Sequence, residues 1–66
     1  MTDDKSIDIL NDILETLIDS THGYEKAAEI AKRPTLEEFF SRRAASRRTM
    51  AAAVRNEITN LGGTSD

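Results

Sequence analysis

The chain has no cysteine and no tryptophan, and only one proline and one histidine. Without cysteine no disulfide can staple the fold, and the usual thiolate nucleophile is excluded. The lone His22 has no serine and aspartate arranged around it as a relay, so nucleophilic catalysis has no foothold. Glycine is scarce too: Gly23 stands alone and Gly62-Gly63 closes a periodic segment instead of opening one, so no phosphate-cradling loop exists. The apolar runs end after a few residues, far short of the roughly 20 needed to span a bilayer. Met1-Thr2-Asp3-Asp4 lacks the basic-then-apolar opening of a secretory signal. A reducing compartment suits the cysteine count, and the expectation is a soluble cytoplasmic protein with no membrane partner.

Large apolar side chains are also few. Of 66 residues 38% are hydrophobic, but much of that share is alanine, which favours helix and buries little area. One domain of this size lies near the lower limit for independent folding. With so small a core and no staple, the ordering entropy needs a further source of burial. A second copy is the economical one, so the expected partner is the chain itself, as a homodimer.

What the chain does have is periodicity. Leu10, Ile13, Leu14, Leu17, Thr21, Tyr24, Ala27, Ala28 and Ala31 recur at helical spacing, and after Pro34 so do Leu36, Phe40, Ala44, Met50, Ala51, Val54, Ile58 and Leu61. The spacing predicts helix one over about 5–32, a turn over about 33–35, helix two over about 35–61 and a frayed tail over 62–66. Asp4 or Ser6 can cap helix one, with Asp3, Asp4 and Asp8 near its positive end and Lys32 and Arg33 near its negative end. Pro34 forbids simple continuation. Thr35-Leu36-Glu37-Glu38 fits a capping box, Thr35 as N-cap and Glu38 reaching back. Gly23 interrupts helix one at a cost of about 1 kcal/mol. It is either a tolerated weak spot or room for a bulky neighbour.

Charge is segregated along the chain. Residues 1–31 hold eight acids against Lys5 and Lys26, and residues 32–66 hold seven bases against Glu37, Glu38, Glu57 and Asp66. The net charge of −3 therefore hides an acidic helix and a basic one. In an antiparallel hairpin Arg47 and Arg48 fall level with Asp19 to Thr21, and Arg43 level with Tyr24 and Glu25. Pairing between unlike helices is the simplest use of this pattern. It favours alternation of acidic and basic helices around a four-helix bundle.

Taken together these residues resemble a bacterial family of four-helix-bundle proteins of unknown function in the ferritin-like superfamily. The resemblance rests on Leu10-Asn11, Leu14, Leu17, Asp19, Gly23-Tyr24 and Ala27-Ala28 in helix one. In the turn and helix two it rests on Pro34, Leu36, Phe40, Arg42, Ala44, Arg47, Ala51, Glu57, Leu61 and Gly62-Gly63. It implies a bundle in which a second helical hairpin completes the core. Arg43 and Met50 stand where the family pattern suggests leucine and phenylalanine, and Ser46 and Ala53 where glutamates are common.

The chemistry such bundles can host needs converging carboxylates plus Glu-x-x-His pairs. None occurs here: His22 precedes Glu25, and on the heptad of Leu10 and Leu17 it lies opposite the core. Asp19 and Glu25 flank the core, and Glu57 alone among the carboxylates is expected to point inward. No metal, cofactor or catalytic residue is assigned. The Arg42-Arg43-Ala44-Ala45-Ser46-Arg47-Arg48 cluster suggests an acidic partner, but it has no interleaved aromatics and Arg43 and Arg47 fall on or beside the core stripe. Arg47, between Phe40 and Val54, either joins a polar layer with Asp19, Thr21 or Tyr24, or packs its stem and snorkels its head outward.

The expected fold is all-α, a two-helix antiparallel hairpin dimerising into a four-helix bundle. Its core sets Leu10, Leu14, Leu17, Tyr24 and Ala28 against Phe40, Met50, Val54, Ile58 and Leu61. Phe39, Phe40 and Met50 form the candidate dimer seam, and Asp19, Thr21, Tyr24, Arg43, Arg47 and Glu57 the candidate polar layer or interface. The function expected is a non-enzymatic structural or protein-interaction module. The alternatives are a ferritin-like metal-binding or iron-handling protein with a site between subunits, and an acidic-partner or nucleic-acid adaptor working through the Arg42–Arg48 cluster.

Overall fold

The computed structural model describes residues 4–65. Two helices of equal length, α1 (Asp4–Ile30) and α2 (Pro34–Asn60), pack side by side as an antiparallel hairpin, with no strand among the described residues. The result is a rod of 50 × 14 × 12 Å. Its radius of gyration of 14.5 Å exceeds the roughly 11 Å of a compact domain this long.

A seven-residue register organises the contact. The buried residues of α1 are Ile7, Leu14 and Thr21, and those of α2 are Ala44, Ala51 and Ile58. With these named position a of a heptad, the d positions are Leu10, Leu17 and Tyr24 in α1 with Ala31 just beyond it, and Phe40, Arg47 and Val54 in α2 with Leu61 at its C-cap. All of the d positions are half-buried. A strict sevenfold period keeps one seam of each helix facing its partner with a slight left-handed supercoil. Among the described residues Leu14 and Ile58 are the largest side chains buried to below 2% exposure. Small Ala44 and Ala51 supply two more a positions of α2 and Glu37 at the first is exposed, so the seam is narrow.

The helices occupy Asp4–Ile30 and Pro34–Asn60, within two residues of the expected bounds of about 5–32 and 35–61. The expected caps need correction. Asp4 already lies in the first turn of α1, while Asp3 is outside the described residues. Lys32 and Arg33 lie beyond the end of α1, since the chain must leave the helical region before Pro34. Thr35 is not the N-cap of α2. Arg33 takes that position, extended at φ −108 and ψ 129, with no side-chain cap, and its carbonyl accepts from the amides of Leu36 and Glu37 at 3.0 Å. Pro34 fits the first helical position because it has no amide to leave unpaired. Glu38, instead of reaching back to a cap, pairs with Arg42 one turn on.

After α2 the chain turns back at Gly62 and Gly63. Gly62 adopts φ 84, the left-handed conformation that costs a side-chain-bearing residue about 1 kcal/mol or more. The Gly62 amide donates to the Thr59 carbonyl at 3.0 Å and the Gly63 amide to that of Ile58 at 2.9 Å, closing a Schellman motif. This turn folds the chain back onto α1, where Asn11 Nδ2 donates to the Thr64 carbonyl at 3.3 Å. Gly63 sits directly on Ile7: a β-carbon there would stand 2.7–2.9 Å from three Ile7 side-chain carbons. The two glycines therefore do different work, one for the turn and one for close approach. Asp66 lies outside the described residues.

Gly63→Ala is expected to lower stability by about 1–3 kcal/mol, because β-branched Ile7 has little rotamer freedom with which to yield. Thermal unfolding followed by circular dichroism checks this. An unchanged midpoint would show that the Gly63–Ile7 contact is dispensable.

Candidate functional site

The two long edges of the hairpin differ. On one, the e positions of the helices meet, and polar groups bridge them: Arg48 donates to Glu25 at 2.6 Å, and Asn11 holds Thr64. The Glu25–Arg48 pair crosses between helices but is about half exposed, so it is worth no more than about 1 kcal/mol. Its register departs from expectation, for Arg48 was placed level with Asp19 to Thr21. Helical side chains slant toward their own N-termini. In an antiparallel pair a long cation on α2 therefore reaches toward the turn and meets an acid on α1 slanting away from it.

The opposite edge, where the d and g positions lie, is open and largely apolar, broken by Arg43, Arg47 and Glu57. Ile13, Leu36 and Met50 occupy g positions and are 43%, 45% and 45% exposed. Phe39 beside them is 48% exposed. Near the turn the aromatic rings form a short ladder. Tyr24 stacks on Phe40 at 6.4 Å between centroids, and Phe40 meets Phe39 edge-on at 5.4 Å. Arginines cover both ends, Arg43 over Phe39 at 5.0 Å and Arg47 over Tyr24 at 5.8 Å. Ser20, Gly23, Tyr24, Ala27 and Phe40 line a shallow hollow on this edge.

The candidate polar layer does not assemble as expected within the hairpin. Asp19 is exposed, and the Thr21 hydroxyl, although buried, donates to its own helix at the Leu17 carbonyl at 2.8 Å. Arg47 reaches neither of them. Half-buried, it lies over the Tyr24 ring and directs its guanidinium to the Met50 sulfur at 3.6 Å. Tyr24 is therefore the one expected partner that Arg47 meets. Arg43 faces Phe39 in place of the Glu25 level. Glu57 is exposed, not inward, because it sits at a g position one step off the seam. Met50, expected in the core, is likewise at a g position and open to solvent within the hairpin. His22 is exposed on the far face.

Sequence reasoning missed Ile7, which stands seven residues before Leu14 and was legible by that interval alone. It also missed how much apolar surface Ile9 and Ile30 expose. Of the arginine cluster, Arg42 pairs with Glu38, Arg48 pairs with Glu25, and Arg43 and Arg47 lie on rings. Among the described residues no three histidine, aspartate or glutamate side chains group as metal ligands, and no helix is long and apolar enough to cross a membrane.

Geometry thus defines a helical hairpin with one edge bridged by polar groups and the other left open and largely apolar. The family profile described as "Domain of unknown function (DUF2383)" matches residues 5–66, and the chain belongs to that family. Neither the curated proteins nor the solved structures contain a match to it.

Arg47→Leu is expected to raise the thermal midpoint and leave a single oligomeric mass. A leucine beside Leu17, Tyr24 and Val54 gains about 1 kcal/mol of burial that a half-solvated guanidinium forgoes. A lower midpoint or a mixture of masses would assign Arg47 a part in setting the helix register.

Proposed function

We propose that the chain is a non-enzymatic, self-associating module of the cytoplasm in which two hairpins combine, through the open edge, into a four-helix bundle of ferritin-like form. The observation that carries this reading is the half-burial of every d position along both helices. In a four-helix bundle a and d positions share one core. In the hairpin alone the a positions from Ile7 to Thr21 and from Ala44 to Ile58 are covered and the d positions are only partly so.

Area supports the same reading. The chain exposes 4924 Å², against about 4,200 Å² for a folded monomer of its mass. The excess of about 700 Å² approaches the roughly 800 Å² per partner of a standard protein interface. Ile13, Leu36, Phe39 and Met50 would supply its apolar centre. An iron-handling or nucleic-acid-binding role has no comparable support, since the carboxylates are dispersed and the clustered arginines already have intramolecular partners.

Native mass spectrometry of the untagged protein, purified without chelator, is expected to give a metal-free dimer, and its melting temperature should rise with concentration. Phe39→Ser with Ile13→Ser should weaken association by ten-fold or more, since neither side chain is buried in the hairpin itself. A monomer at tens of micromolar with concentration-independent melting would overturn the proposal. Stoichiometric iron, manganese or zinc would move the metal-handling role ahead of it.

A further inference from the structure

We propose that the edge bridged by polar groups carries a small-ligand site, a cleft beside Arg55 that takes an organic oxyanion: one carboxylate or phosphate head on a flat apolar body. The cleft lies across the rod from the open edge. It therefore does not depend on self-association and stays uncovered when the open edge is occupied.

The sevenfold ladder along this edge generates the site. Glu25 and Arg48 hold e positions and meet across the seam at 2.6 Å. One heptad along, seven residues before Glu25 and seven after Arg48, the same step sets Ile18 against Arg55. The position that gives Arg48 its carboxylate here holds an isoleucine. Arg55 has no acid on its own helix either, since the residues three and four away are Ala51, Ala52, Ile58 and Thr59. Its guanidinium has neither ion pair nor hydrogen bond among the described residues.

Space accompanies the charge. The a positions at this level, Thr21 and Ala51, are both buried and both small. Leu14 and Ile58 fill the seam elsewhere, but here it sinks, and a cleft of about 350 Å³ opens between the helices. That volume lies at the low end of those that hold small ligands. Half-buried Ile18 joins Thr21 and Ala51 on the floor. The Thr21 hydroxyl hydrogen is committed to the Leu17 carbonyl at 2.8 Å, so the floor offers no donor and suits an apolar body.

The donors stand on the rim, where Arg55 and Arg48 face His22 and Glu25. Helical side chains slant toward their own N-termini, so Arg55 leans over Ala51 toward Arg48. Arg48 meets Glu25 through Nη1 alone and keeps further N–H groups for a second acceptor. Two guanidiniums against one carboxylate leave one positive charge unbalanced. Glu15 and Asp19, on the outer face of α1 beside the cleft, repel a polyanion such as a nucleic-acid backbone. A single anionic head on Arg55, with its apolar body on the floor, is the chemistry that fits.

Benzoate and phenyl phosphate, titrated at constant ionic strength, are the probes, and amide correlation spectra of the full chain are the readout. At least one is expected to shift the amides of residues 18–25 and 48–55 saturably, with a dissociation constant of about 1 mM, and to leave those of Arg42 and Arg43 unmoved. The tighter of the two identifies the head. Acetate and inorganic phosphate, which lack the body, should bind at least three-fold more weakly. Arg55→Gln should weaken binding five-fold or more with helix content and native mass unchanged. Ile18→Glu should do the same by supplying Arg55 with an acid at the Glu25 step of the ladder. Because Ile18 also packs against the core, circular dichroism checks its fold, and Arg55→Gln decides the matter alone if that variant fails to fold. Shifts that spread over every arginine without saturating, equal affinity for acetate or inorganic phosphate, or wild-type binding by Arg55→Gln would each overturn the site. None of these results would touch self-association, which native mass reads separately.

Discussion

Everything in this molecule depends on a sevenfold register that only half closes. Positions a of both helices bury against each other over a 50 Å rod. The d positions complete the period but have no second layer to cover them. A two-helix contact has a single seam, and a seam built on Leu14, Ile58 and small alanines cannot exclude water from a helix surface this long. The hairpin's exposed apolar side chains follow from this geometry. They are the part of the sevenfold pattern that two helices cannot bury.

Polar groups divide the rod along its length. Where e positions meet, Glu25–Arg48 and Asn11–Thr64 tie the helices together and fix which edge faces water. Neither contact is strong when exposed, so their effect is on arrangement more than on stability. Where d and g positions lie, Tyr24, Phe40 and Phe39 replace charge with rings, and Arg43 and Arg47 cap the ladder. A guanidinium over a ring keeps much of its hydration while its stem covers apolar surface. Arg47 can therefore stand in a stripe position without a carboxylate partner.

Periodicity made the helices, the hairpin and the C-terminal stop legible in the sequence. Intervals of three and four placed Leu14, Thr21, Ala44, Ala51 and Ile58 on the buried stripes, and Gly62-Gly63 marked the end of α2. The cap of α2 was not legible, because Thr35 and Glu38 match a motif whose geometry Pro34 pre-empts by occupying the first helical position itself. Nor was the docking of Gly63 on Ile7, which depends on two residues 56 apart in sequence meeting across the hairpin. Glu57 and Met50 lie open in the hairpin for a shared reason: intervals of three and four admit both d and g positions, and only sevenfold recurrence of the buried residues separates them.

The same register explains why helix-averaged charge is a poor guide to assembly in this chain. Acids and bases act over about a Debye length in salt, but an interface senses only the groups it dehydrates. Acidic α1 presents no charge on its open edge, and basic α2 presents one cation and one anion spaced evenly about Met50. Attraction between unlike helices is therefore already used inside the hairpin, at Glu25 and Arg48. What remains on the open edge is a pattern of ring, methionine and alternating sign that any surface covering it would have to match.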